Sequence, residues 1–271
     1  MHDDPLPSDV ARAIGMLESL HDGDQGVLEA VRLGNRMVPA LRTLLFERDP
    51  SGLFHTRIRA VDALVTLRAY DVLAEFLKLD HHIVDPVERL GQDVVISAAA
   101  RGIARSHEEW AFELLSDLAR RCPSGGVIAA LGSFRRRESI PLLVDTLIED
   151  EARMSAEGAL RAIGRPAVTA LLAAANHRLP SSANESESSL RRRRSALCLL
   201  VEIGLPKKLW PGLRVLLNDA DIQIALLACK LCLDAGHRRE WPAARERLHE
   251  LKSQASWIER LQIDQYLERI H

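Results

Sequence analysis

Aromatic residues are scarce in this sequence: eleven Phe, Tyr and Trp together make 4% of 271 residues, against 47% hydrophobic overall. A core of that mixture is mostly Ala, Leu, Val and Ile, which suits closely packed helices and not sheets. Lysine is scarce as well. Of 36 basic residues only Lys78, Lys207, Lys208, Lys230 and Lys252 are lysine, a bias that a GC-rich bacterial genome produces with no function behind it. Neither sign of charge is in excess, and a net charge of −2 gives no global pull toward nucleic acid or membrane. Four cysteines do not make a disulfide framework in a chain this long, which points to reducing cytosol. No run approaches the roughly 18 apolar residues of a membrane span, and the polar start MHDDPLPSDV does not read as a signal peptide. The expectation is a soluble cytoplasmic protein. No GxSxG, P-loop, GxGxxG or kinase signature occurs, so hydrolase, nucleotidase and dehydrogenase readings lack support, and no enzyme activity, cofactor or metal is expected.

What the chain has is repetition. From Glu151 to Asn176 it reads as two short amphipathic helices joined by a tight turn. Ala156, Ala159, Leu160 and Ile163 share one helical face, and Val168, Leu171 and Leu172 another. Gly164 supplies the turn, and Pro166 falls in the first turn of the second helix, where its missing N–H costs nothing. Neither helix can bury its stripe alone, so the unit needs copies on either side. Glycines at 34, 132, 164, 204 and 236 mark them: two intervals are 32 residues, and the 40 from 164 to 204 is one repeat plus a polar insertion. Arg68 and the Ala104–Arg105 region stand where the long gap between 34 and 132 lacks its glycines. A helical-hairpin period in the low thirties is the signature of an α-solenoid.

The segments ALRAIGRPAVTALL (159–172), LEAVRLGNRMVPALRTLL (28–45), ALGSFRRRESIPLLVDTL (130–147) and EIGLPKKLWPGLRVLL (202–217) resemble the HEAT-like repeats of phycobilin lyases. The resemblance implies an all-α, right-handed superhelix of about seven HEAT-like hairpins, with second helices lining the concave side. A cap at 1–24, repeats over 25–252 with a mobile polar insertion at 180–189, and a C-terminal cap helix with a polar outer side at 253–271 complete one domain. The family spans scaffolds, chaperone-like lyases and DNA glycosylases, so it implies the fold and leaves function open.

Candidate contacts come from stacking the repeats. Just after each turn stand Arg36, then Arg135, Arg136 and Arg137, then Arg165, Lys207 and Lys208, and Arg238 and Arg239. They fall near the N-termini of second helices, where the macrodipole disfavours cations, so helix chemistry does not account for them. A basic edge there suits phosphate or an acidic partner. Trp210 and Trp241, also on second helices, are candidate partner contacts if exposed and gap fillers if not. The opposite turns are acidic, and Asp before a helix is a good cap.

The remaining features have plain readings. Arg191 to Arg194 cannot form one stripe on a helix and read as a solvated helix start. Cys229 and Cys232, inside an apolar helix, read as core. His81-His82 lacks metal-site spacing. His107-Glu108 and His249-Glu250 are similar to the His-Glu pairs of deoxyhypusine hydroxylase, which uses four. Three functions stay open: an adaptor for a protein partner, a binder of nucleic-acid backbones, and a lyase-type or chaperone subunit acting on a cofactor-bearing protein.

Overall fold

The structure, a computed structural model, describes residues 7–48, 53–80, 83–179, 185–234 and 238–268. Residues 49–52, His81-His82, most of the insertion (180–184), Gly236 and both chain ends lie outside them. The chain is all-α, without a strand among the described residues, and divides into two compact units, Met1–Phe134 and Arg135–His271.

The N-terminal unit holds α1 (Ser8–Glu18), α2 (Gly23–Leu33), α3 (Val38–Phe46), α4 (His55–Thr66), α5 (Tyr70–Lys78), α6 (Pro86–Ala104), α7 (Glu109–Arg121) and α8 (Gly125–Gly132). Each hairpin packs its first helix on the first helix of its neighbours, in the series α2, α4, α6 and α8, while the second helices α3, α5 and α7 form the other layer. The C-terminal unit holds α9 (Ile140–Asp145), α10 (Arg153–Ile163), α11 (Val168–Asn176), α12 (Glu187–Ile203), α13 (Trp210–Arg214), α14 (Ile222–Asp234), α15 (Trp241–Lys252) and α16 (Trp257–Glu268). There α10, α12, α14 and α16 form one layer, and α9, α11 and α13 pack in turn on the other side. This is the α-solenoid arrangement that the spacing predicts.

The punctuation differs from expectation in instructive places. Gly34, Gly164 and Gly204 do turn the chain with positive φ. In the missing repeats Arg68 also has a positive φ, but the next such residue is His107 and not Ala104 or Arg105. Gly132 is helical; Arg135, with φ 52°, makes the turn that was assigned to it. His21 and Asp22 turn the chain after α1, and Gly23 to Gly26 begin α2. Gly26 is there for closeness: a Cβ on it would stand 2.6 Å from the backbone nitrogen of Leu17 in α1. Ser8 is the first residue of α1 and makes no capping bond.

The second helices α3, α9, α13 and α15 start alike. A short 3-10 turn leads into the helix and a proline stands at its first or second position: Pro39, Pro141, Pro211 and Pro242. Trp210 takes the place that Ile140 and Val168 take in their repeats, just before or at the helix start, and all three are buried. The last helix departs from a cap with a polar outer side. Ile263 and Leu267 of α16 face inward, while Trp257, Ile258 and Leu261 are exposed among its polar residues.

Candidate functional site

The basic residues stand at the starts of second helices, where the spacing places them. Arg36, Arg137, Arg165, Lys207, Lys208, Arg238 and Arg239 lie in the 3-10 turns that precede second helices, and Arg135 and Arg136 immediately before one. All but Arg36 belong to the C-terminal unit, on the turns that open α9, α11, α13 and α15. Arg36 pairs with Asp9 at 3.3 Å in the N-terminal unit. Arg136 is half-buried and makes contacts of its own, and Arg238 lies over the Trp241 ring at 5.7 Å. Arg135, Arg137, Arg165, Lys207, Lys208 and Arg239 are exposed and have no carboxylate partner among the described residues.

The tryptophans do not join this edge as a surface. Trp210 is only 5% exposed, so it fills the gap between repeats and cannot meet a partner directly. Trp241 is half-buried, with its indole nitrogen buried and its face covered by Arg238. The exposed indoles are Trp110, whose N–H donates to Glu108 at 2.9 Å, and Trp257.

The opposite turns carry a different chemistry. Arg191 to Arg194 are not a solvated helix start: each reaches a backbone carbonyl or a carboxylate. Arg193 is fully buried. Its Nε donates to the carbonyl of Ala175 at the end of α11 (2.8 Å), Nη1 to Glu185 (2.6 Å) and Nη2 to Asp219. Arg192 reaches the His177 carbonyl at 2.9 Å, Arg191 pairs with Asp150 at 2.8 Å, and Arg194 holds Asp221 through two nitrogens. Arg178 adds a second cation, 3.3 Å from both Glu185 and Asp219. The last carbonyls of a helix lack intrahelical donors and carry its negative end, so a guanidinium from the next repeat satisfies both needs. The same device recurs: Arg247 donates to the Leu217 carbonyl (3.0 Å), Arg57 to Leu45 (2.9 Å) and Arg59 to Leu17 (2.8 Å).

Consequently the acidic turns are more than caps. Asp85 does cap α6, accepting from the amides of Val87 and Glu88, and Asp221 accepts from the Ile224 amide. Asp219 and Glu185 instead hold Arg193. Burial would raise the Asp219 carboxyl, but the bond from Arg193 and the Asp221 amide outweigh it, so the group is held below the ordinary aspartate range. The described end of the insertion, 185–189, is tied down: Ser186 caps α12 and Ser189 donates to Glu185 at 2.6 Å. Sequence reasoning missed this cluster because a run of like charges suggests solvent; Glu185, eight residues before Arg193, was the available signal.

Cys229 and Cys232 sit in the core of α14, where burial pushes each thiol up to about 12 and keeps it protonated at neutral pH. No group of three His, Cys, Asp or Glu with metal-holding geometry occurs among the described residues. His107, at its turn, packs edge-on against Phe134 (5.9 Å).

No protein-family model matches the chain, and no curated protein is similar to it in sequence. Among solved structures it is similar to a chain of the complex of CpcE and CpcF of phycocyanin lyase from Nostoc sp., at 18% identity and a TM-score of 0.38, covering 100% of this chain and 97% of that one. Two engineered proteins are also similar: one at 15% identity and TM-score 0.40, covering 96% and 78%, the other at 16% and 0.30, covering 97% of each. Superpositions this loose leave the chain a helical repeat protein and carry nothing about its site.

Proposed function

We propose that the chain is a non-enzymatic helical-repeat adaptor that holds an acidic segment of a protein partner on the turns opening α9, α11, α13 and α15. The observation that supports this is the uneven matching of charge. Guanidiniums at the carbonyl ends of the C-terminal unit's helices meet carboxylates or carbonyls, whereas six cations at the amide ends meet none among the described residues. Cations at helix N-termini oppose the macrodipole. An incoming carboxylate would gain from the cations and from the unpaired amides of the helix starts together. Each exposed pair contributes only about 0.2–1 kcal/mol, so an extended segment touching several turns is favoured over a single carboxylate. A partner bearing a cofactor, which the repeat resemblance to phycobilin lyases implies, is a special case of this reading.

Anisotropy titration of a labelled oligo-glutamate peptide at low and at physiological salt tests it, beside a DNA duplex. The peptide should bind at low salt, and Arg137→Glu/Arg165→Glu/Lys207→Glu should weaken it at least about tenfold. Tighter binding of the duplex, with affinity falling by about 0.9 log units per phosphate contact per log unit of salt, would replace the adaptor reading with nucleic-acid binding. Binding of neither ligand at low salt would end both.

A further inference from the structure

A cation stands at the same place in four successive repeats of the C-terminal unit. Arg137, Arg165, Lys207 and Arg238 are each the first residue of a 3-10 turn, three residues before the second helix begins at Ile140, Val168, Trp210 and Trp241. All four are exposed, and none has a carboxylate partner among the described residues. The N-terminal unit has no such series: Asn35, Leu67 and Ser106 stand three residues before α3, α5 and α7.

The four cations belong to neighbouring elements. α9, α11 and α13 pack in turn, and α15 packs on the 3-10 turn that continues α13. Packed helices lie about 8–10 Å apart, axis to axis, so equivalent residues recur at roughly that step along the edge. A series of carboxylates that meets them needs the same step along one side of its own chain. A polyproline II segment has it: three residues per turn, rising 3.1 Å each, bring every third side chain to one side about 9 Å apart. A β-strand turns every third residue to the opposite face. An α-helix reaches a similar step, about 10 Å, at every seventh residue, but its carbonyl oxygens are already bonded along the helix. In a polyproline II segment the carbonyls have no internal partner. A second exposed cation stands within two residues of three of the four positions, Arg135, Lys208 and Arg239, and can donate to such carbonyls. We infer, resting on the adaptor reading, that the partner of this edge is a polyproline II segment with an acidic side chain at every third position, one for each of the four turns.

Anisotropy titration of labelled peptides into the full chain at low salt tests this. Three proline-rich peptides of equal length and composition carry four glutamates at every second, every third or every fourth position. A fourth peptide is an alanine-rich helix with glutamate at every seventh position, and oligo-glutamate is titrated beside them. The every-third peptide should bind at least about fivefold more tightly than the other designed peptides, the effect of losing one or two exposed pairs. Arg137→Glu/Arg165→Glu/Lys207→Glu should remove that preference. Equal affinities of the three proline-rich peptides would overturn the spacing and leave the adaptor reading standing on charge alone. Tighter binding of the helical peptide would replace the extended partner with a helix. A preference that survives the triple substitution would overturn the assignment to these turns. Binding of oligo-glutamate alone would end only this inference, whereas binding of no peptide at all would end the adaptor reading with it.

Discussion

At the carbonyl ends of the second helices in the C-terminal unit, guanidiniums reach carbonyls or carboxylates, with Arg193 fully buried among them. At the amide ends of the same helices, six basic side chains stand in water without a carboxylate among the described residues. Arginine is abundant at both ends, so composition does not separate them; what differs is the acceptor. A helix C-terminus offers unpaired carbonyls and a negative dipole end, and the next repeat delivers an arginine to it. An N-terminus offers amides, which a cation cannot satisfy. Charge at the first end therefore serves the fold, and charge at the second is available to something outside it.

Removing Arg193 tests the first half of that contrast most severely. Arg193→Ala would leave Glu185 and Asp219 buried with only Arg178 beside them and orphan the Ala175 carbonyl, so a loss of about 3–5 kcal/mol is expected in denaturant unfolding. A change under about 0.5 kcal/mol, the ordinary size of a surface substitution, would mean the cluster is incidental.

Reversing charge at the amide ends should do the opposite. Arg137→Glu/Arg165→Glu/Lys207→Glu should shift stability by about 0.5 kcal/mol or less per site, while the affinity for an acidic peptide falls at least tenfold, or about 1.4 kcal/mol. Unfolding of this variant on the scale of Arg193→Ala would erase the distinction between the two ends.

Acid sharpens the contrast without mutating the arginines. Asp219 titrates below its unperturbed value of 3.8 in the folded chain. Its contribution is therefore fully present above that value and is lost as pH falls through the lower, folded one. Unfolding measured from pH 6 downward should weaken more steeply below about pH 4 in the natural chain than in Asp219→Asn. Parallel profiles would detach Asp219 from stability.

The smallest effect belongs to Arg135. A left-handed conformation costs a non-glycine residue about 1–2 kcal/mol, which glycine avoids while losing about 0.5–1 through its unfolded freedom. Arg135→Gly should thus hold stability within about 1 kcal/mol, on the stabilising side, and remove one charge from the edge. Destabilisation beyond that, read from the denaturant midpoint, would show the Arg135 side chain working in the fold.

Much of the fold was legible along the chain. The 3.6-residue spacing of Ala and Leu, prolines at helix starts and glycines at 34, 164 and 204 located the hairpins closely. Arg68 was found at its turn by interval alone. Misplaced turns fell where a residue other than glycine took positive φ, as at His107 and Arg135, because that conformation leaves no composition signal. The basic turns were legible by position, but whether each cation was matched was not. Trp210 read equally as a contact or a filler until its burial was known.

Local chemistry, then, determined the helices, their order and the arginines' place on them, because periodicity and punctuation act within a few residues. Only the tertiary structure decided which arginines are spoken for. Arg193 meets Asp219 26 residues ahead and the Ala175 carbonyl 18 behind, and Arg57 meets Gln92 35 residues on and no carboxylate among the described residues. Matching a charge depends on which helix end packs beside it, and stacking of the repeats sets that.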